Sequence, residues 1–287
     1  MKVMFGIILI VIGAFLLVTT ISSPFTNSKT KYNEGSLTTD ISSVKSLDLS
    51  STSVDWVIEG HDGEMLSVEL VNQNKQIELH SNEQKETLQI VVKEPRFRFF
   101  SFNFLGKTKA IVRIPNSYSQ NLNVNSISGE IVFHDELSVN NTFSKTVSGN
   151  VLGSTLSSES VEVKTTSGNI KFKEVTATDV RLESVSGDLI VQTLSGDIEG
   201  KTVSGNIEIE YRDENDKVWL KTVSGDVELF IPIGNAEVNV STVSGDVHLD
   251  LQQQQSIKSR SYTGILGDGL HPLRISTTSG DIRIRER

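Results

Sequence analysis

The sequence predicts an all-β fold: a flattened parallel β-solenoid of about 18–20 residues per rung, with two strands and two corners, behind an N-terminal transmembrane helix. Three observations carry this. Ser-Gly pairs recur with glycines at Gly129, Gly149, Gly168, Gly187, Gly205, Gly225, Gly245 and Gly280, in steps of 20, 19, 19, 18, 20, 20 and then 35 residues. Apolar residues alternate with polar ones on both sides of each pair, the period of a strand with one buried face. An extra Ser-Gly pair at Gly196 falls nine residues from Gly187 and nine from Gly205, which marks a second corner half-way round the coil. A self-similar period near twenty is the mark of stacked repeats that share one core.

The chain opens with Met1 and Lys2 and then an uncharged run of nineteen residues, Val3 to Ile21. As a helix this run is about 28 Å long, enough to span a bilayer's hydrocarbon core. It exceeds the apolar core of a secretory signal, no Ala-x-Ala site follows, and Pro24 disfavours cleavage before it. Residues 1–21 therefore read as an uncleaved single-pass anchor, with the bulk of the chain outside the cytoplasm. Residues 22–39, rich in Ser, Thr, Asn and Lys, read as a flexible stalk.

Residues 40–120 alternate less regularly, as in Leu47-x-Leu49, Val54-x-Trp56-x-Ile58 and Leu66-x-Val68-x-Leu70. They are expected to form irregular N-terminal rungs and a cap. Within them Arg96, Phe97, Arg98, Phe99, Phe100, Phe102 and Phe104 concentrate five of the twelve phenylalanines in eight positions. Two readings stay open: an aromatic tip that touches a membrane or a partner, or a hairpin folded over the open end of the solenoid.

Residues 121–287 carry the regular repeats. Counted from the corner glycine, apolar residues at −7, −5, −2, +2 and +4 are expected to point inward, as with Val218, Leu220, Val223, Val227 and Leu229 around Gly225. Glycine at the corner suits a positive φ, and the following Asn or Asp can close the turn with its side chain. The 35-residue last interval reads as one rung plus a surface excursion. Arg283, Arg285 and Arg287 then alternate outward on a final strand, which reads as a charged edge that blocks end-to-end growth.

The chemistry is sparse. No cysteine means no disulfide framework, thiolate metal site or Cys nucleophile. The net charge of −9 opposes nucleic acid and tight electrostatic attachment to anionic lipid or wall polymers. The column of Asn150, Asn169, Asp188, Asn206, Asp226, Asp246 and Asp281 supplies too few oxygens per rung for calcium, and reads as a structural ladder. His61, His80, His134, His248 and His271 show no metal-ligand spacing. No catalytic residue, cofactor or metal is expected, and the chain reads as a non-enzyme.

The N-terminal span, the opening Val44-Lys-Ser-Leu-Asp-Leu-Ser-Ser-Thr-Ser-Val-Asp-Trp56 and the serial Thr-Val-Ser-Gly-Asp-Val units resemble the bacterial "putative adhesin" domain family. Within it they are similar to LiaG-like, membrane-anchored proteins of a cell-envelope stress operon in Gram-positive bacteria. The resemblance covers nearly the whole chain. It implies an extracytoplasmic β-solenoid at the plasma membrane and carries over no catalytic residue. The expected function is a binding, adhesin-like or scaffold surface in the cell envelope, toward a wall component or another membrane protein. The alternatives are a cytoplasmic polymerising scaffold similar to bactofilins and a polysaccharide-active β-helix enzyme.

Overall fold

The computed structural model describes residues 31–33, 35–72, 77–94, 107–232, 234–250 and 257–286. The expected helix of residues 1–21 lies outside them. Among the described residues no helix is long and apolar enough to cross a membrane. All the regular structure described is β. The N-terminal part comprises β1 (Lys31–Asn33), β2 (Ser36–Thr39), β3 (Ser46–Ser51), β4 (Asp55–His61), β5 (Leu66–Val71), β6 (Glu78–Gln84), β7 (Thr87–Lys93) and β8 (Lys109–Pro115). The middle comprises β9 (Asn121–Asn125), β10 (Ile131–Ser138), β11 (Asn141–Lys145), β12 (Val151–Lys164), β13 (Ile170–Glu183), β14 (Leu189–Lys201), β15 (Ile207–Tyr211), β16 (Val218–Lys221) and β17 (Val227–Ile231). The chain ends with β18 (Ala236–Ser244), β19 (Val247–Asp250), β20 (Ile257–Ser259), β21 (Ser261–Leu266), β22 (His271–Ser279) and β23 (Ile282–Glu286).

These strands stack into two faces. The first runs β1, β6, β7, β3, β9, β11, the second half of β12, β13 and β14, then β16, β22, β18 and β21. The second runs β2, β5, β8, β4, β10, the first half of β12, β13 and β14, then β15, β17, β23, β19 and β20. From β7 to β18 on the first face, and from β8 to β19 on the second, all pairings are parallel. Only the outer strands at each end pair antiparallel, which closes the coil. At ~4.8 Å per strand the parallel stack is about 45 Å long.

β1 and β2 are outermost at one end of the stack, but elsewhere the rungs do not follow chain order. The rung β3–β4 lies inside β7–β8, and the final rung β22–β23 lies between β16–β17 and β18–β19. This corrects the reading of Arg283 and Arg285 as an exposed charged edge; Arg287, the third member of that set, lies outside the described residues. Arg283 and Arg285 do point outward, but as members of an interior strand: Arg285 Nη1 reaches Glu228 Oε1 at 2.7 Å, and Arg283 Nη2 reaches Asp281 Oδ2 at 2.8 Å. The edge is instead β20 and β21, folded antiparallel over β19 and β18. Asn235 secures the crossing from β21 to β22, its Oδ1 accepting the N–H groups of Asp268 and Leu270 at 3.1 Å each. At the other end β1 and β2 form within the stretch expected to be stalk. Polar residues suffice there because an outermost strand needs a backbone ladder more than a buried side-chain row.

The second corner is a break in some rungs and a bend in others. Ser157-Ser158 and Gly196 sit inside the continuous strands β12 and β14, so three rungs pass from one face to the other without leaving β structure. The core fills the slot between the faces. Val161, Val163, Ile170, Val180, Leu182, Leu189, Val227, Leu229, Ile282 and Ile284 are each fully buried. Small residues make room for large ones: a Cβ on Gly153 would strike the Phe172 ring, which lies 6.1 Å from that of Phe133. Thr142 and Ser144 occupy the inward places of that layer, where other rungs put Val or Leu.

Candidate binding surface

The repeat is most uniform at the corner. Three columns meet there, and all are occupied internally. A Cβ on Gly149 would overlap Gly129 O, one on Gly168 would overlap Gly149 O, and the pattern continues through Gly187, Gly205, Gly225, Gly280 and Gly245; Gly129 itself faces Val54 O. Glycine is required because the carbonyl of the adjacent rung lies where a side chain would go. Positive φ is not the common reason: it is found at Gly187, Gly225, Gly245 and Gly280 but not at Gly129, Gly149, Gly168 or Gly205.

The second column is a row of buried hydroxyls three residues before each glycine. Thr165, Ser184, Thr202, Thr222, Thr277 and Thr242 donate to the carbonyls of Gly149, Gly168, Gly187, Gly205, Gly225 and Gly280 at 2.9–3.3 Å. Strict alternation from −7 and −5 puts −3 inward, so the −2 residue must face out. Here the structure overturns the expected inward set: Val203, Val223 and Val243 are 46%, 43% and 69% exposed, and Thr166 and Val185 are half-buried.

The third column is the Asx ladder. Each Oδ1 accepts the backbone N–H of the Asx on the adjacent rung: Asn150 from Asn169, Asn169 from Asp188, Asp188 from Asn206, Asn206 from Asp226, Asp226 from Asp281 and Asp281 from Asp246, at 2.8–3.0 Å. Aspartate and asparagine serve equally because only an acceptor is needed. At its distal end Arg283 lies against Asp281 and Asp226.

What faces solvent is the outer side of the two sheets. On the first face Glu162 pairs with Lys164, Lys164 with Glu183, and Arg181 with Glu199, which also meets Lys201. Burial works against the charge on Lys164, but the hydrogen bonds and charges of Glu162 and Glu183 win and raise its pKa; burial and the Lys164 charge lower that of Lys145. One rung further stands Trp219, 45% exposed, in register with Glu199 on one side and Arg274 on the other. Lys201 Nζ sits 5.0 Å from the centre of its ring. On the second face Arg285 stacks 5.6 Å from the Phe230 ring. The repeat pattern does not single out Trp219 and its cationic neighbours. A signal was present: Trp219 falls at an outward place of its repeat, between Lys217 and Lys221.

The aromatic segment Arg96–Phe104 lies outside the described residues, but its flanks do not. β7 ends and β8 begins at the line of corners, beside β3 and β4. One cluster of potential metal ligands occurs among the described residues: Glu59, His134 and Asp135, with ligand atoms within 4.8 Å of one another. His134 Nδ1 is 2.9 Å from Asp135 Oδ2, and Glu59 is already engaged by Arg113 at 2.7 Å. His248 lies beside Asp250, Arg283 and Arg285 around an open hollow of about 250 Å³.

No curated protein matches the chain. Among solved structures, it is similar to a "putative adhesin" of Bacteroides fragilis NCTC 9343 at 12% identity and a TM-score of 0.48, over 90% of this chain and 98% of that one. It is similar also to a "putative lipid binding protein" of Parabacteroides distasonis at 17% identity and 0.49, over 91% and 97%. A "putative adhesin" of Parabacteroides merdae matches at 11% and 0.44, over 90% and 97%. The family match is of another order, because one family model accounts for residues 27–285, all but the first stretch and the last two residues. The chain belongs to the Toastrack DUF4097 family.

Proposed function

We propose that this protein is a non-enzymatic, membrane-tethered binding or scaffold surface of the cell envelope, LiaG-like in its anchor and its opening rung. The observation that carries the reading is the corner: its hydroxyl and Asx columns are committed to hydrogen bonds between rungs. That leaves two long flat faces, rather than a cleft of converging acids and bases, to meet a partner. The names of the structural neighbours agree with a binding role.

The placement of the ends supports a tether. β1, the first described strand, and the flanks of Arg96–Phe104 stand at the same end of the stack, opposite β20 and β21. An anchor in residues 1–21 would therefore hold the aromatic stretch near the membrane and present the distal rungs outward. Protease shaving of intact cells tests this, with release of residues 40–287 expected from outside. Protection of that region would overturn the topology and favour a cytoplasmic scaffold. Cross-linking of the full chain in cells, followed by recovery of a wall component or membrane protein, tests the binding role.

A further inference from the structure

We infer that the outward face around Trp219 binds a carboxylate-bearing glycan, a proposal that rests on the binding-surface reading and names its ligand class. Of the two tryptophans, Trp56 is fully buried and Trp219 is nearly half exposed on a flat parallel sheet. An indole so placed offers a rigid apolar plate to the C–H face of a sugar ring, with little conformational entropy to lose, once the flexible Lys201 chain that lies 5.0 Å from the ring centre swings aside.

The neighbours define the charge. On three consecutive rungs the outward residues are Asp197, Glu199 and Lys201, then Lys217, Trp219 and Lys221, then Pro272, Arg274 and Ser276. Both carboxylates are already engaged, Asp197 by Lys217 and Glu199 by Arg181 and Lys201. Lys221 and Arg274 are exposed and have no ion-pair partner among the described residues. The next rung outward presents Glu237, Asn239 and Ser241; the carboxylate stands beside Pro272, and the amide and hydroxyl beside Arg274 and Ser276 are suited to sugar hydroxyls.

A chain of net charge −9 thus carries, beside its one exposed indole, two uncompensated cations. Their fit is to a ligand with a planar acidic group, which the Arg274 fork can grip in bidentate fashion. The overall negative charge repels a densely charged polymer, so the ligand is a sparsely charged glycan of the uronate type rather than a polyphosphate. A membrane or a protein hot spot would need a contiguous apolar patch, whereas both in-register neighbours of Trp219 are charged.

The test uses the full chain in detergent, with hyaluronan oligosaccharides as probe, dextran as a neutral glycan and polyglutamate as a charged chain without rings. Because Trp56 is buried, a change in tryptophan emission on titration reports on Trp219. Hyaluronan is expected to perturb the emission and to bind at least tenfold more weakly to Trp219→Ala, read by sedimentation. Arg274→Gln and Lys221→Gln should each weaken it several-fold, with thermal midpoints unchanged, and dextran and polyglutamate should bind far less. No hyaluronan binding, equal binding by Trp219→Ala, or equal binding of polyglutamate would each overturn the proposal. Continued cross-linking of an envelope component by Trp219→Ala would remove this inference while leaving the binding-surface reading in place.

Discussion

Gly245 packs against the carbonyl of Gly280, not against that of Gly225 one repeat before it; Gly280 in turn packs on Gly225. The rung of β22 and β23 is thus a wedge between two rungs that precede it in the chain. Rung 236–250 has no native neighbour toward the core until residues 271–286 exist. We expect a chain ending at Leu270 to lose hydrogen-exchange protection throughout 236–250 while keeping it in 141–201. The lost wedge includes Leu273, Ile275, Ile282 and Ile284, each worth about 2 kcal/mol of burial. Retained protection in 236–250 would mean that the rungs can stack in sequence order.

The same contact makes Gly280 intolerant. A methyl group there meets the backbone carbonyl of Gly225 and the Asp226 side chain, at a φ of 143°. Backbone cannot rotate away as a side chain does, so Gly280→Ala should cost about 3 kcal/mol or more. Gly63→Ala is the contrast, because the nearest atoms to its added methyl belong to the half-buried His61 side chain and not to backbone. Urea denaturation of the two variants measures the difference.

The Asx ladder asks for an acceptor and not for a charge. Asp188→Asn should change stability by less than about 0.5 kcal/mol, whereas Asp188→Ala exchanges the Asn206 N–H bond for one to water and should cost about 0.5–1.5 kcal/mol. Millimolar calcium or a chelator should leave the thermal midpoint where it was. A midpoint that rises with calcium in the wild type but not in Asp188→Asn would give the ladder a metal-binding role.

Much of this architecture was legible in the sequence, because period-two alternation and a twenty-residue repeat report directly on stacked strands. Val161, Val163, Ile170 and Phe172 are buried as their spacing requires. Two features were not legible, for identifiable reasons. The −2 valines look like core residues by composition, and only the parity set by the −7 and −5 residues reveals that Thr202 and Thr222 point in instead. The wedge at β22–β23 leaves no mark at all, since the repeat is so uniform that Ile282 and Ile284 would fit beside any rung. The solvent face was least legible, because outward places carry no periodic constraint, and so Trp219 passed as one residue among many.

That parity makes a sharp comparison within one strand, β18. Val243 is 69% exposed and Val240 is 1% exposed. Val243→Ser should alter stability by no more than about 0.5 kcal/mol. Val240→Ser removes buried methyl groups and places a hydroxyl in the core, and should cost about 2–3 kcal/mol. Equal costs, measured by thermal or urea unfolding, would show that the corner column packs against something in the folded protein.

The charged face should register in the acid limb of stability. The hydrogen bond from Lys201 lowers the pKa of Glu199 below its ordinary value of 4.5; burial opposes this, and the charges of Lys201 and Arg181 add to it. A carboxylate whose folded pKa is depressed binds fewer protons folded than unfolded, so its stabilisation is full above pH 4.5 and is lost as pH falls through the folded value. Glu199→Gln should therefore lower stability by about 0.5–1 kcal/mol near neutral pH, an ion-pair value discounted for solvent screening. The gap between wild type and variant should stay constant down to about pH 4.5 and then close. A gap that persisted to strong acid would assign the loss to packing or hydrogen bonding of the isosteric amide and not to the Arg181–Glu199–Lys201 ion pairs.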